Sequence, residues 1–195
     1  MARIAYFVHG RGRGHASRAR AVLARLEADG HDLHVFGGGN AVELLGERHD
    51  FTEVVPCLPW SQLIRTSWRR FRQDVTRLRH LAPDVVVTDG DLAAAHTALY
   101  LRLPSLAIGH GMLYARCRLG PGLPRSARVR QTLRAASSSW PCDHHVVVHF
   151  APVAAWAPHT TVARPDLPEG FVPHPSSDNF VLAYFRDGNG VPVLR

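Results

Sequence analysis

The chain has 195 residues, 46% apolar and 20% charged, which excludes a disordered polymer and suits one domain with a sizeable core. No stretch approaches about 18 consecutive apolar residues, and the opening run MARIAYFVHG is too short for a secretory signal, so a cytoplasmic protein without a membrane span is expected. All 23 basic residues are Arg, against 16 acidic residues, for a formal net charge of +7.

Short apolar runs alternate with helical patterns along the chain. Strands are expected at 3–9 (RIAYFVH), 32–37 (DLHVFG), 52–57 (TEVVPC), 84–89 (DVVVTD), 105–110 (SLAIGH), 144–150 (HHVVVHF) and 160–164 (TTVAR). Several are apolar at consecutive positions, as in a parallel sheet covered on both faces. A first helix carries Ala19, Val22, Leu23 and Leu26 on one stripe and stops at the glycine of ADGH, residues 28–31. A longer stripe runs through Ile64, Trp68, Phe71, Val75 and Leu78, a third helix spans 91–103, and a fourth runs from about Ser126 to Ser138.

This alternation predicts a doubly wound α/β domain over residues 1–164, with helices on both faces of a parallel sheet and right-handed crossovers. Residues 165–179, PDLPEGFVPHPSSDN, read as a linker. FVLAYF at 180–185 reads as the first strand of a second domain, truncated within residues 180–195.

Cysteine and histidine narrow the chemistry. Cys57, Cys117 and Cys142 are odd in number and widely spaced, and are expected to be inert thiols. His144, His145 and His149 resemble a metal cluster, but an i, i+4 pair on a strand lies about 13 Å apart, so no metal site is expected.

Charge is unevenly placed. Between Asp91 and Asp143 there is no acidic residue, while Arg102, Arg116, Arg118, Arg125, Arg128, Arg130 and Arg134 all fall there. Such a field suits an anionic partner: a sugar nucleotide, a phospholipid surface or a nucleic acid. Nucleic acid is not expected, since the chain lacks zinc-finger, RNP-like and helix-turn-helix signatures. The helix at 61–81 adds Arg65, Arg69, Arg70 and Arg72 beside Trp60 and Trp68. It reads either as a core-facing stripe with a solvated back, the reading preferred here, or as a basic surface resting on anionic lipid.

In a doubly wound sheet ligands bind beyond the carboxyl ends of the strands, which directs attention to residues 10–15, 37–40, 89–91 and 109–112. The turn HGRGRGH spaces Gly10, Gly12 and Gly14 as GxGxG, whereas a dinucleotide fingerprint needs GxGxxG and an acidic residue closing the second strand. A Walker loop fails too, for want of a lysine. What remains is a loop whose backbone lets a ligand approach, leading into a helix N-terminus that favours anions. His15 and Ser17 sit there; a positive helix end disfavours imidazolium, so His15 reads as a general base or as a capping residue. Asp89 of VTDGDL is the expected carboxylate partner of His15, and Asp91 the N-cap of the following helix. His110 and Gly111 of IGHGM end the next strand on the same edge and are expected to line the pocket.

The GRGRGHASRA turn after an N-terminal strand resembles the glycine-loop-histidine signature of GT-B glycosyltransferases, above all relatives of the peptidoglycan N-acetylglucosaminyltransferase, whose turn reads GGTGGH. TDGD and PSLAIGHG resemble that family's acceptor-domain pattern. The resemblance implies two Rossmann-like domains, the first binding the acceptor and the second the nucleotide sugar. It places His15 as the base or acceptor-contacting histidine, Asp89 as its partner, and Gly10, Gly12, Gly14, Ser17, His110 and Gly111 as substrate-binding. It further implies a nucleotide sugar as donor substrate, no metal or cofactor, and a hydroxyl-bearing acceptor, lipid- or phosphate-linked. With most of the donor domain missing, this half is expected to be inactive alone, completed by a C-terminal half on the same or another polypeptide. Two alternatives stay open: a sugar-nucleotide epimerase or hydrolase of the same fold, and a non-catalytic anion- or nucleotide-binding module.

Overall fold

Residues 3–8 form strand β1 (Arg3–Val8), apolar at every position after its first. Alternation sends Ile4, Tyr6 and Val8 into one core and Ala5 and Phe7 into another, so the strand is buried on both faces. The computed structural model describes residues 1–10, 13–46, 60–120 and 125–165. After β1 come α1 (Arg13–Ala28), β2 (Asp32–Phe36), α2 (Asn40–Leu45), α3 (Trp60–Leu81), β3 (Val85–Asp89), α4 (Leu92–Leu101), β4 (Ser105–Gly109), α5 (Leu113–Arg116), α6 (Arg125–Ser139), β5 (His144–Val148) and β6 (Thr160–Ala163).

Among the described residues the strands make one parallel sheet in the order β2-β1-β3-β4-β5-β6. The chain leaves β1 for β2 through α1, then crosses back over β1 to reach β3 through α3. Right-handed crossovers in opposite directions place these helices on opposite faces. Accordingly Ala16, Ala19 and Leu23 of α1, with Ala41 and Leu45 of α2, pack against Ile4, Tyr6 and Val8. Leu78 of α3 and Ala94 and Ala98 of α4 pack against Ala5, Phe7 and Val86. The winding therefore reverses between β1 and β3, and their carboxyl ends flank the crevice where such sheets bind ligands. The fold is the doubly wound, Rossmann-like α/β architecture that the alternating pattern predicts.

Two expectations change. The stripe on α3 does not face the core along its length: Leu78 is buried, Phe71 and Val75 are half-buried, and Ile64 and Trp68 are 68% and 61% exposed. Arg70, counted with the surface arginines, is instead buried beside Asp74. The N-terminal half of α3 runs past the sheet, so its apolar positions have no core to meet. The strands expected at 52–57 and 180–185, the linker beyond residue 165, and Gly12 lie outside the described residues.

Cys117 and Cys142 are buried and unbridged, and burial pushes the Cys142 thiol up to about 11, out of the reactive range. The three neighbouring histidines part company. His145 is buried with Nε2 donating to the Ser139 carbonyl at 2.8 Å, His144 sets its ring edge-on to His159, and His149 stacks on His110.

Candidate active site at the switch point

The loop after β3 reads TDGD, and each residue has a distinct task. Thr88 Oγ1 accepts from the Asp91 backbone N–H at 3.0 Å and donates to the Asp91 carbonyl at 2.9 Å, closing the turn. Asp91 Oδ1 accepts from the Ala94 N–H at 2.9 Å, capping α4, while Arg70 of α3 reaches Oδ2 at 3.4 Å. Asp89 turns to the opposite face and meets α1. Gly90, between them, has φ +77°, and a β-carbon there would lie 2.8 Å from His15 Cε1. Only glycine allows the turn and leaves the imidazole its place.

His15, the third residue of α1, brings Nδ1 to 2.6 Å from Asp89 Oδ1. Arg18, one turn further, donates from Nε to Oδ2 at 2.9 Å and from its terminal nitrogen to Oδ1. The Asp89 side chain is fully buried, and a buried carboxylate held by a guanidinium is ionised and accepts only. At 2.6 Å a proton must therefore lie on Nδ1, which donates to Asp89. In the neutral ring Nε2 then carries the lone pair. Nε2 has no hydrogen-bond partner among the described residues, and the His15 side chain is 33% exposed. Around the pair, the His9 ring stands edge-on to His15 at 5.3 Å and the His9 N–H donates to the Asp89 carbonyl at 3.1 Å. Tyr6 lies fully buried on β1, its hydroxyl unpartnered among the described residues, and burial first and the Asp89 charge second push its phenol well above the usual range.

The other expected residues divide. Gly10 is buried, and its carbonyl oxygen would stand 2.6 Å from a β-carbon on Gly39, so the turns after β1 and β2 pack backbone to backbone. Gly14 borders open space, as does Gly111. Ser17 is exposed and, as the fifth residue of α1, is too far along to cap it. His110 is exposed beyond β4, one strand past Asp89, and its Nδ1 donates to the Val148 carbonyl at 3.0 Å. It shares the sheet edge with His15 but makes no contact with it. Arg18 and Gly90 were not among the expected site residues. Arg18 stands three residues after His15, on the same helix face, and that spacing is the signal the sequence carried.

Gly90→Ala tests how tightly this turn is drawn. The left-handed backbone alone costs about 1–2 kcal/mol, and the methyl must also displace His15. The expected result is a fall in melting temperature of about 4–8 °C, measured by circular dichroism, with the His15–Asp89 hydrogen bond lost in proton NMR.

A family model described as glycosyl transferase family 1 matches residues 2–189. The chain belongs to this family. Solved structures agree on the fold of this glycosyl transferase family 1 domain. MurG from Acinetobacter baumannii, 14% identical, aligns with 86% of this chain and 47% of its own at a TM-score of 0.59. A UDP-GlcNAc 2-epimerase from Methanocaldococcus jannaschii, solved with UDP-GlcNAc and UDP, is 14% identical over 74% of this chain and 40% of its own, with a TM-score of 0.54. A Streptomyces glycosyltransferase is 18% identical over 94% and 58% at a TM-score of 0.50. The chain thus spans 40% to 58% of the length of these proteins. No curated protein matches it by sequence. The architecture is that of the N-terminal half of a GT-B fold.

Proposed function

We propose that this domain is the acceptor-binding half of an inverting glycosyltransferase, with His15 as the general base. The observation that carries the reading is the His15–Asp89 hydrogen bond of 2.6 Å at the switch point, with the opposite ring nitrogen unpartnered toward the crevice. Nε2 accepts the proton of an acceptor hydroxyl as its oxygen attacks the anomeric carbon of a nucleotide sugar. The bond from that carbon to the nucleotide phosphate breaks, its electron pair leaves with the phosphate, and the configuration inverts. Asp89 holds the ring in the required tautomer and balances the imidazolium as it forms. The nucleotide sugar is a donor substrate held mainly by a second half, on the same or another polypeptide. The reaction calls on no resident metal or cofactor in this half.

The test is sugar transfer by a protein that carries both halves, with and without His15→Ala. Epimerisation or hydrolysis of the nucleotide sugar, read from products, is the outcome that would replace transfer; epimerases share this fold. Nucleotide binding without turnover would leave a binding module.

We propose further that the domain is cytoplasmic and rests on the inner membrane face through the N-terminal half of α3. No described helix is long and apolar enough to cross a membrane, so contact would be peripheral. Arg65, Trp68, Arg69 and Arg72 line a surface groove of about 600 Å³, and Ile64 and Trp68 project beside it. Arginine around exposed tryptophan suits anionic headgroups over an acyl boundary. Arg116, from the acid-free stretch, is instead spent internally on the Pro158 carbonyl and Thr160. Vesicles rich in phosphatidylglycerol should sediment the domain at low salt and release it at high salt. Each of Arg65→Gln and Arg72→Gln should weaken binding about fivefold, at about 1 kcal/mol per arginine. Binding that ignores both substitutions would remove the surface.

A further inference from the structure

We propose that Arg18 is a positioning residue that ties up the Asp89 charge, so that Asp89 orients the His15 ring without holding a second proton on it. This rests on His15 as the base, and extends that assignment to the residue that sets its protonation.

The argument is one of charge and of available acceptor sites. Asp89 is fully buried and needs a partner for its charge. Arg18 supplies it through the guanidinium fork, one nitrogen to each carboxylate oxygen, which leaves Oδ1 still able to accept from His15 Nδ1. The carboxylate and the guanidinium cancel. A second proton on the ring would then add a net positive charge within 3.2 Å of an Arg18 nitrogen, the separation between that nitrogen and His15 Nδ1. Without Arg18, the same proton would complete a simple buried ion pair with Asp89, and the imidazolium would be the favoured form. A His–Asp pair alone thus holds a spent base, whereas His–Asp–Arg holds a ring that can accept.

The remaining neighbours do not alter this balance. His9, at the end of β1, stands edge-on to His15. Tyr6, on the same strand, is a phenol kept neutral by burial. Arg13, on the same helix, pairs with Glu43 of α2 at 3.3 Å in solvent. Arg18 is thus the cation bonded to Asp89 among the described residues.

The decisive measurement is the pH titration of the His15 ring nitrogens by nitrogen-15 NMR, in the 195-residue chain and in Arg18→Met and Arg18→Lys. In Arg18→Met the imidazolium should persist to higher pH by about one unit or more, since an opposite charge at hydrogen-bond distance is no longer shared. Arg18→Lys, which keeps a cation but loses the fork, should fall between the two. In a protein with both halves, the acid limb of kcat/KM should move upward by the same interval in each variant. An unmoved His15 titration in Arg18→Lys overturns the proposal, whether or not Arg18→Met folds. The NMR readout needs no turnover, so the proposal stands or falls apart from sugar transfer. Full transfer by His15→Ala would sink the base assignment while leaving the titration result in place.

Discussion

His15→Ala should lower kcat/KM for sugar transfer by about 10²–10⁴-fold, the usual worth of a positioned general base. The loss should fall on kcat, because the ring acts on the acceptor proton in the transition state and the nucleotide sugar is held mainly by the other half. The fold should survive. His15 lies on the solvent side of α1, and Ala is the stronger helix former. What the substitution leaves behind is Asp89 with Arg18, still a closed ion pair, so no uncompensated charge is buried. A melting temperature within a few degrees of wild type, beside the lost rate, would separate chemistry from structure. Full activity in the variant would mean that the 2.6 Å hydrogen bond serves only to seat α1 on the sheet.

Asp89→Ala differs in kind, since it strands Arg18 as well as freeing His15. That contrast shows what the sequence could and could not say about the site. Runs such as DVVVTD and HHVVVHF were legible because a strand buried on both faces needs apolar side chains at consecutive positions. The edge carrying the site followed from topology alone, since the turns after β1 and β3 must meet where the winding reverses. Asp91 was legible as a cap because capping is local, three residues along the chain. The partners of Arg18 and Arg70 were not legible. Both arginines sit in helices crowded with arginine, and nothing local distinguishes a guanidinium that points at a buried carboxylate from one in water. The distinction lies in contacts 71 and 21 residues away, Arg18 to Asp89 and Arg70 to Asp91. Ile64 and Trp68 show the converse. Their spacing marks a helix face, but how far the sheet extends beneath that face is a property of the whole fold.

The largest loss of stability should come from the other side of the same turn. Arg70 and Asp74 are one helical turn apart on α3, both buried, with Arg70 Nε donating to the carboxylate at 2.8 and 2.9 Å. Arg70 also reaches Asp91, and its guanidinium lies 5.9 Å from the centre of the Phe7 ring, so α3 is anchored to β1 and the TDGD turn at once. Asp74→Ala should cost about 3–5 kcal/mol, because it leaves Arg70 buried with Asp91 alone at 3.4 Å. For a chain of this size that is a drop of roughly 10–15 °C in melting temperature. Asp74→Asn should be far milder at neutral pH, since an amide oxygen can still accept from Arg70. The comparison also carries a sign. Burial pushes the Asp74 carboxyl up to about 6, against the pull of Arg70, which it shares with Asp91, and of Arg77 at 3.8 Å. A native-state value above the unfolded one means that folding favours the protonated form. The stability this gives wild type is complete below about pH 4 and fades as pH rises through about 6. Asp74→Asn has no such proton to bind, so the advantage of wild type over it should be greater at pH 4 than at pH 7. Urea unfolding of both proteins across that range would read the difference. An advantage that grew toward pH 7 would mean that the attraction of Arg70 outweighs the cost of burial. The pair would then be a source of stability and not only a means of fixing where α3 lies.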